Sequence, residues 1–211
     1  MQEEFPYQDF TKLELGGTYE FEITRGDSHR ITVEADDKLF RNLRVEKKGD
    51  TLRLTKSPHI GWRWRFDRPE VRIQMPRLTD IRLFGTAGGS LSGFGDTEEP
   101  LIIDMDGASH LSANITVKDV NVRLRGACHF NAEGAVERLV IDANGACHIH
   151  LEKYRAQDAA IRLNGVTNGV VNVNGRLDAR LNGMSTLHWL GEPKMGDIRV
   201  LGMSSISRWE K

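Results

Sequence analysis

Long apolar runs are missing from this chain of 211 residues, and no stretch approaches the roughly 18 residues that a membrane-spanning helix needs. Charge of one sign is missing as well. The 29 Lys and Arg nearly balance the 30 Asp and Glu, leaving −1, so neither a nucleic-acid footprint nor an acidic tail is indicated. No amphipathic stretch keeps a helical period for more than about two turns, which argues against a helical protein. Cysteine is limited to Cys128 and Cys147, too few for a disulfide scaffold and not enough to fix the redox compartment. The opening MQEEFPYQDF is acidic and lacks the apolar segment of a secretory signal. An exported form is therefore expected to have shed its leader ahead of this start.

What the chain has instead is one phrase, repeated. Copies run from Ile81, Ile103, Val122, Ile141, Ile161, Ala179 and Ile198, and they share Gly85, Gly107, Gly126, Gly145, Gly165, Gly183 and Gly202. The spacings between these glycines are 22, 19, 19, 20, 18 and 19 residues, a period typical of solenoids. Apolar residues stand four and two places before each glycine, with a charged residue between them, which is the period of a strand with one buried face. Small residues follow at the second place after the glycine, and apolar ones return at the fourth in most copies. Asn144, Asn164 and Asn182 make Asn-Gly pairs, residue types that accept positive φ at a bend. Hairpins would not present the same residue types at every step of about 19, whereas stacked coils rising about 4.8 Å per rung would. The fold class expected is all-β: a right-handed parallel β-helix of about seven coils.

The residue between the two apolar positions runs Arg82, Asp104, Arg123, Asp142, Arg162, Arg180, Arg199. Neighbouring rungs thus offer opposite charges, each exposed pair worth about 0.2–1 kcal/mol, until the last three arginines break the alternation. Cys128 and Cys147 hold the same place in adjacent coils. A bridge and a pair of buried free thiols are both open on Cα spacing, although parallel Cβ vectors count against the bridge.

Residues 1–77 read as a β-rich cap and 78–211 as the helix proper, in one continuous unit. DFTKLELGG, TYEFEITRG, HRITVEAD, LRVEKKGD, TLRLTKS and PEVRIQMP alternate without the repeat, and Gly49-Asp50 reads as a hairpin turn. The insertion at 57–69, SPHIGWRWRFDRP, alternates Trp62, Trp64 and Phe66 with Arg63 and Arg65. These five residues are the candidate ligand site, with aromatic faces for sugar rings and guanidiniums for anions; a half-buried strand gives the same alternation. Trp189 and Trp209 are expected to plug the open end of the core or to form a subunit interface there.

The segments FTKLELGGTYEFEITRGDSHRITVEAD, LRVEKKGDTLRLT and VRIQMPRLTDIRLFGTAGG, followed by Gly-Ala-Ser/Cys-His coils, resemble the head GIN domain family of putative autotransporter adhesins across residues 8–191. The resemblance implies a β-helix and an exported, periplasmic or cell-surface location. It supplies no catalytic residues. The Trp-Arg insertion and the Cys-His pairs stand apart as features of this member.

His110, His129 and His148 follow their glycines by three places on consecutive rungs and are the candidate metal ligands. Rung spacing lets one ion join only neighbours, and a cysteine next to a histidine on a strand points to the opposite face. Asp104, Asp106 and Asp142, interleaved with Arg123 and Arg125, are the residues a polysaccharide lyase-like enzyme would use, but the arginines favour ion pairing over a cation site. The function expected is a non-enzymatic envelope module that needs no cofactor, binds a glycan or protein ligand and forms a homo-oligomer. A carbohydrate-active enzyme or a self-assembling structural module is the alternative.

Overall fold

A computed structural model describes residues 2–35, 40, 43–56, 69–95 and 99–210. Its strands are β1 (Gln2–Phe5), β2 (Lys12–Gly17), β3 (Glu20–Arg25), β4 (Arg30–Glu34), β5 (Leu43–Lys48), β6 (Thr51–Lys56) and β7 (Glu70–Met75) in the amino-terminal region. There follow β8 (Asp80–Gly85), β9 (Gly88–Gly95), β10 (Leu101–Gly107), β11 (His110–Gly126), β12 (His129–Gly145), β13 (His148–Gly165), β14 (Asn168–Val173), β15 (Arg176–Gly183), β16 (Thr186–Leu190), β17 (Lys194–Val200) and β18 (Ser205–Arg208). Each coil has two legs. One runs up to the repeat glycine and the other leaves the corner after it.

The glycines form a file. Gly107 pairs with Gly126, Gly126 with Gly145, Gly145 with Gly165 and Gly165 with Gly183, all in parallel register. The β-helix of about seven turns is therefore the fold. Apolar files run beneath the surface. Ile81, Ile103, Val122, Ile141 and Ile161 stack on the first leg, and Leu111, Phe130 and Ile149 on the second, each at most 1% exposed. Burying each such side chain contributes about 1.5–3 kcal/mol, far more than any surface ion pair, so these files hold the coils in register.

The corner residues are small because they turn inward under the glycine. The Ser109 hydroxyl donates to the Asp106 carbonyl (2.8 Å) and the Thr167 hydroxyl to Gly145 of the preceding rung (3.2 Å). Cys128 occupies the same niche, with Sγ 3.3 Å from the Arg125 carbonyl. Cys128 and Cys147 are buried free thiols. Hydrogen bonding to Cys147 together with burial holds the Cys128 thiol well above its usual range, which suits a packing role.

The amino-terminal strands are stacked out of chain order. β2 pairs in parallel with β6 on one side and β8 on the other, and β3 likewise lies between β7 and β9. The rung β2–β3 is thus enclosed between a rung that follows it in sequence, β6–β7, and the first glycine-marked coil. Leu13, Leu15 and Gly17 register with Ile81, Leu83 and Gly85, so LELGGTYEF carries a further copy of the repeat phrase. Antiparallel strands finish this end: β5 on β6 through the Gly49-Asp50 turn, then β4 on β7 and β1 on β4.

Candidate functional site

The outward faces of the two legs carry different chemistry. On the first leg, several charges are paired across and along the rungs. Asp104 accepts from Arg125 at 2.8 Å, a diagonal contact in place of the expected Arg82–Asp104–Arg123 file, and Asp106 lies 3.6 Å from the same guanidinium straight across the rungs. Arg176 binds Asp178 at 2.7 Å, and Asp197 receives both Arg180 (2.7 Å) and Arg199 (3.1 Å). The Arg176 hydrogen bond, assisted by the Asp197 backbone N–H, pulls the Asp178 carboxyl down to about 2. Asparagines extend the pattern: Asn164 donates to Asn144 (3.0 Å), which donates to Asp142 (2.7 Å).

In the glycine-marked coils, the first residues of the second leg are uncharged or histidine. One file reads Ser90, Ser112, Asn131, His150, Val170, His188 and Ser207, with Val170 covered although it is not part of the core. Beside it run His110, His129, His148, Asn168, Thr186 and Ser205. The rings of His129 and His148 stack at 4.6 Å with 15° between planes. His110 takes another course. Its ring lies over Gly88, where a Cβ would collide with it, and its Nε2 meets Glu20 at 3.1 Å on the rung beyond.

Beside this ring lies a groove of about 410 Å³, lined by Glu20, Glu22, Glu70, Arg72, Ser90 and His110 among others. Arg72 is clamped by Glu70 (2.7 Å) and Glu22 (3.4 Å), so its guanidinium is held still at the groove wall. Strands β7, β3, β9 and β11 each contribute, and only the out-of-order stacking brings them side by side.

A family model described as "Putative auto-transporter adhesin, head GIN domain" matches residues 9–193. The chain belongs to the head GIN domain family. Three solved structures share its fold. A putative adhesin from Bacteroides fragilis aligns with a TM-score of 0.87 at 17% identity, over 99% of this chain and 96% of that one. A putative lipid binding protein from Parabacteroides distasonis aligns at 0.71 and 18% over 100% and 96%, and a putative adhesin from the same species at 0.66 and 15% over 99% and 96%. No curated protein sequence matches the chain. An adhesin-like family points to an exported or cell-surface protein.

In this head GIN domain the candidate ligand residues Trp62, Arg63, Trp64, Arg65 and Phe66 lie outside the described residues. Glu70, the first residue of β7, lines the groove. Among the described residues, no three His, Cys, Asp or Glu side chains converge as metal ligands. His110, His129 and His148 form a file of one ring hydrogen-bonded to Glu20 and two stacked rings, with His148 Nδ1 buried and lacking a partner among the described residues. Trp189 and Trp209 part company. Trp189 has the inward parity of Leu187 and packs on the core, whereas Trp209 is directed outward and meets the His188 ring edge-on at 5.0 Å.

Partial burial, then the charges of His148, His150 and His110, lower the His129 pKa below 6.5. Because the fold favours the neutral ring, the unfolded chain binds more protons below about pH 6.5, and stability must fall as pH drops through that window. The thermal midpoint is therefore expected to decline between pH 7.5 and 5 more steeply in the wild type than in His129→Asn. Parallel pH profiles would contradict this.

Proposed function

We propose that this head GIN domain is a non-enzymatic, surface-exposed glycan-binding module whose ligand lies along the second leg. The observation that carries this reading is the division of the surface. Several carboxylates and guanidiniums on the first leg are paired with each other, as Asp104 with Arg125 and Asp197 with Arg180, while Ser, Asn, Thr and His just past the corner on the second leg present hydrogen-bonding groups outward. Sugar hydroxyls match such groups, and rungs about 4.8 Å apart are close to the length of one sugar unit. The groove at Arg72 and His110 anchors one end of the ligand, and Trp62 and Trp64 supply aromatic faces for sugar rings.

Glycan-array screening followed by calorimetry on the best hit tests the reading. Arg72→Ala, Asn131→Ala and the pair Trp62→Ala with Trp64→Ala are each expected to weaken binding by about tenfold or more, equal to roughly 1.4 kcal/mol. Arg162→Ala on the first leg is expected to leave it unchanged. No glycan binding, or binding lost through Arg162 and not through the second leg, would refute it.

A further inference from the structure

The last described rung of the column, β17–β18, leaves apolar side chains exposed. Val200 continues the file of Leu163 and Leu181, which are 0% and 1% exposed, yet it is itself 39% exposed. Ile198 and Ile206 are only partly buried, and Leu201 and Met203 stand 62% and 78% exposed around them. Among the described residues β17 pairs only with β15 and β18 only with β16, so both present a row of backbone donors and acceptors on their far side. The other end differs. Leu52, Leu54 and Val71 in its outermost parallel rung are 0% exposed beneath antiparallel strands.

We propose that the carboxy-terminal rung is a homodimer interface, met end to end by a second copy across a two-fold axis. The charges on β17 are self-complementary for this. Antiparallel pairing of β17 with itself, centred on Ile198, sets Asp197 opposite Arg199 of the second copy, twice over. The same register places Met195 against Leu201 and covers Val200. A head-to-tail contact lacks this match, because the amino-terminal end is capped and offers no open core. Assembly therefore closes at two and does not grow into filaments. The interface leaves the second leg free, so it holds whether or not the glycan reading does.

Sedimentation velocity on the full chain across the micromolar range, without ligand, is the test. The expected result is a species of twice the monomer mass. Asp197→Lys and Arg199→Glu each place like charges in opposition and are expected to raise the dissociation constant at least about tenfold. An equimolar mixture of the two restores both opposite-charge pairs and is expected to dimerise. Met203→Asp, at a side chain that is 78% exposed, should also give monomers while its thermal unfolding stays that of the wild type. A wild type monomeric throughout, dimers that persist in Met203→Asp, a mixture no better than its components, or growth beyond dimers would overturn the proposal. So would a monomer that co-sediments with phosphatidylglycerol vesicles, which would assign the patch to a lipid surface.

Discussion

Gly126→Ala is expected to destabilise the protein by roughly 3 kcal/mol or more, while Gly49→Ala costs only about 1 kcal/mol. Both glycines have positive φ, +100° at Gly126 and +62° at Gly49. They differ in what surrounds them. A Cβ on Gly126 would lie 2.4 Å from the Gly107 carbonyl oxygen, backbone that cannot move without parting two rungs, whereas nothing lies within 4 Å of one on Gly49. The substitution at the hairpin therefore pays only for left-handed backbone, and the one in the file must also separate coils. Denaturant midpoints measured on both variants check this. Equal losses would mean that the glycines are kept for φ alone and that the corners are not closely stacked.

Phe130→Ala should be as damaging, with a loss of roughly 3–5 kcal/mol in the same measurement. The ring is 0% exposed and lies in register between Leu111 below and Ile149 above, so its removal leaves a void that both rungs line. In a solenoid each coil touches only its neighbours, and no distant segment can move in to fill the gap. A loss below about 1 kcal/mol would indicate a core that collapses readily, contrary to the packing described.

The files were legible because a stacked coil imposes the same demand at the same place on every turn. Ile103, Val122 and Ile141 are interchangeable since each meets its counterpart on the adjacent rung, and that makes the repeat visible. The enclosed rung was harder to see. Leu13, Leu15 and Gly17 carry the phrase at the right spacing, but Tyr19 and Phe21 replace the small corner residue and the usual aliphatic, and chain order gives no sign that β6–β7 lies outside β2–β3. The groove depends on that threading, since Glu20, Glu70, Ser90 and His110 come from four separated segments. Their types were plain in the sequence and their adjacency was not. The diagonal Asp104–Arg125 pair escaped for a related reason. Side chains of unequal length choose among several partners within reach, so rung register alone does not name the one they meet.

Nuclear Overhauser contacts between backbone protons of successive coils test the central claim most directly. The account expects the His129 amide, bonded to the Ser109 carbonyl at 2.9 Å, to contact residues of the preceding coil, and the His148 amide, bonded to the Cys128 carbonyl at 2.8 Å, to do the same one rung on. It expects equivalent contacts between Gly17 and Gly85, at the boundary where chain order is broken. Contacts that instead paired these strands in opposite directions, as a chain of hairpins would, or that joined β8 directly to β6, would contradict it.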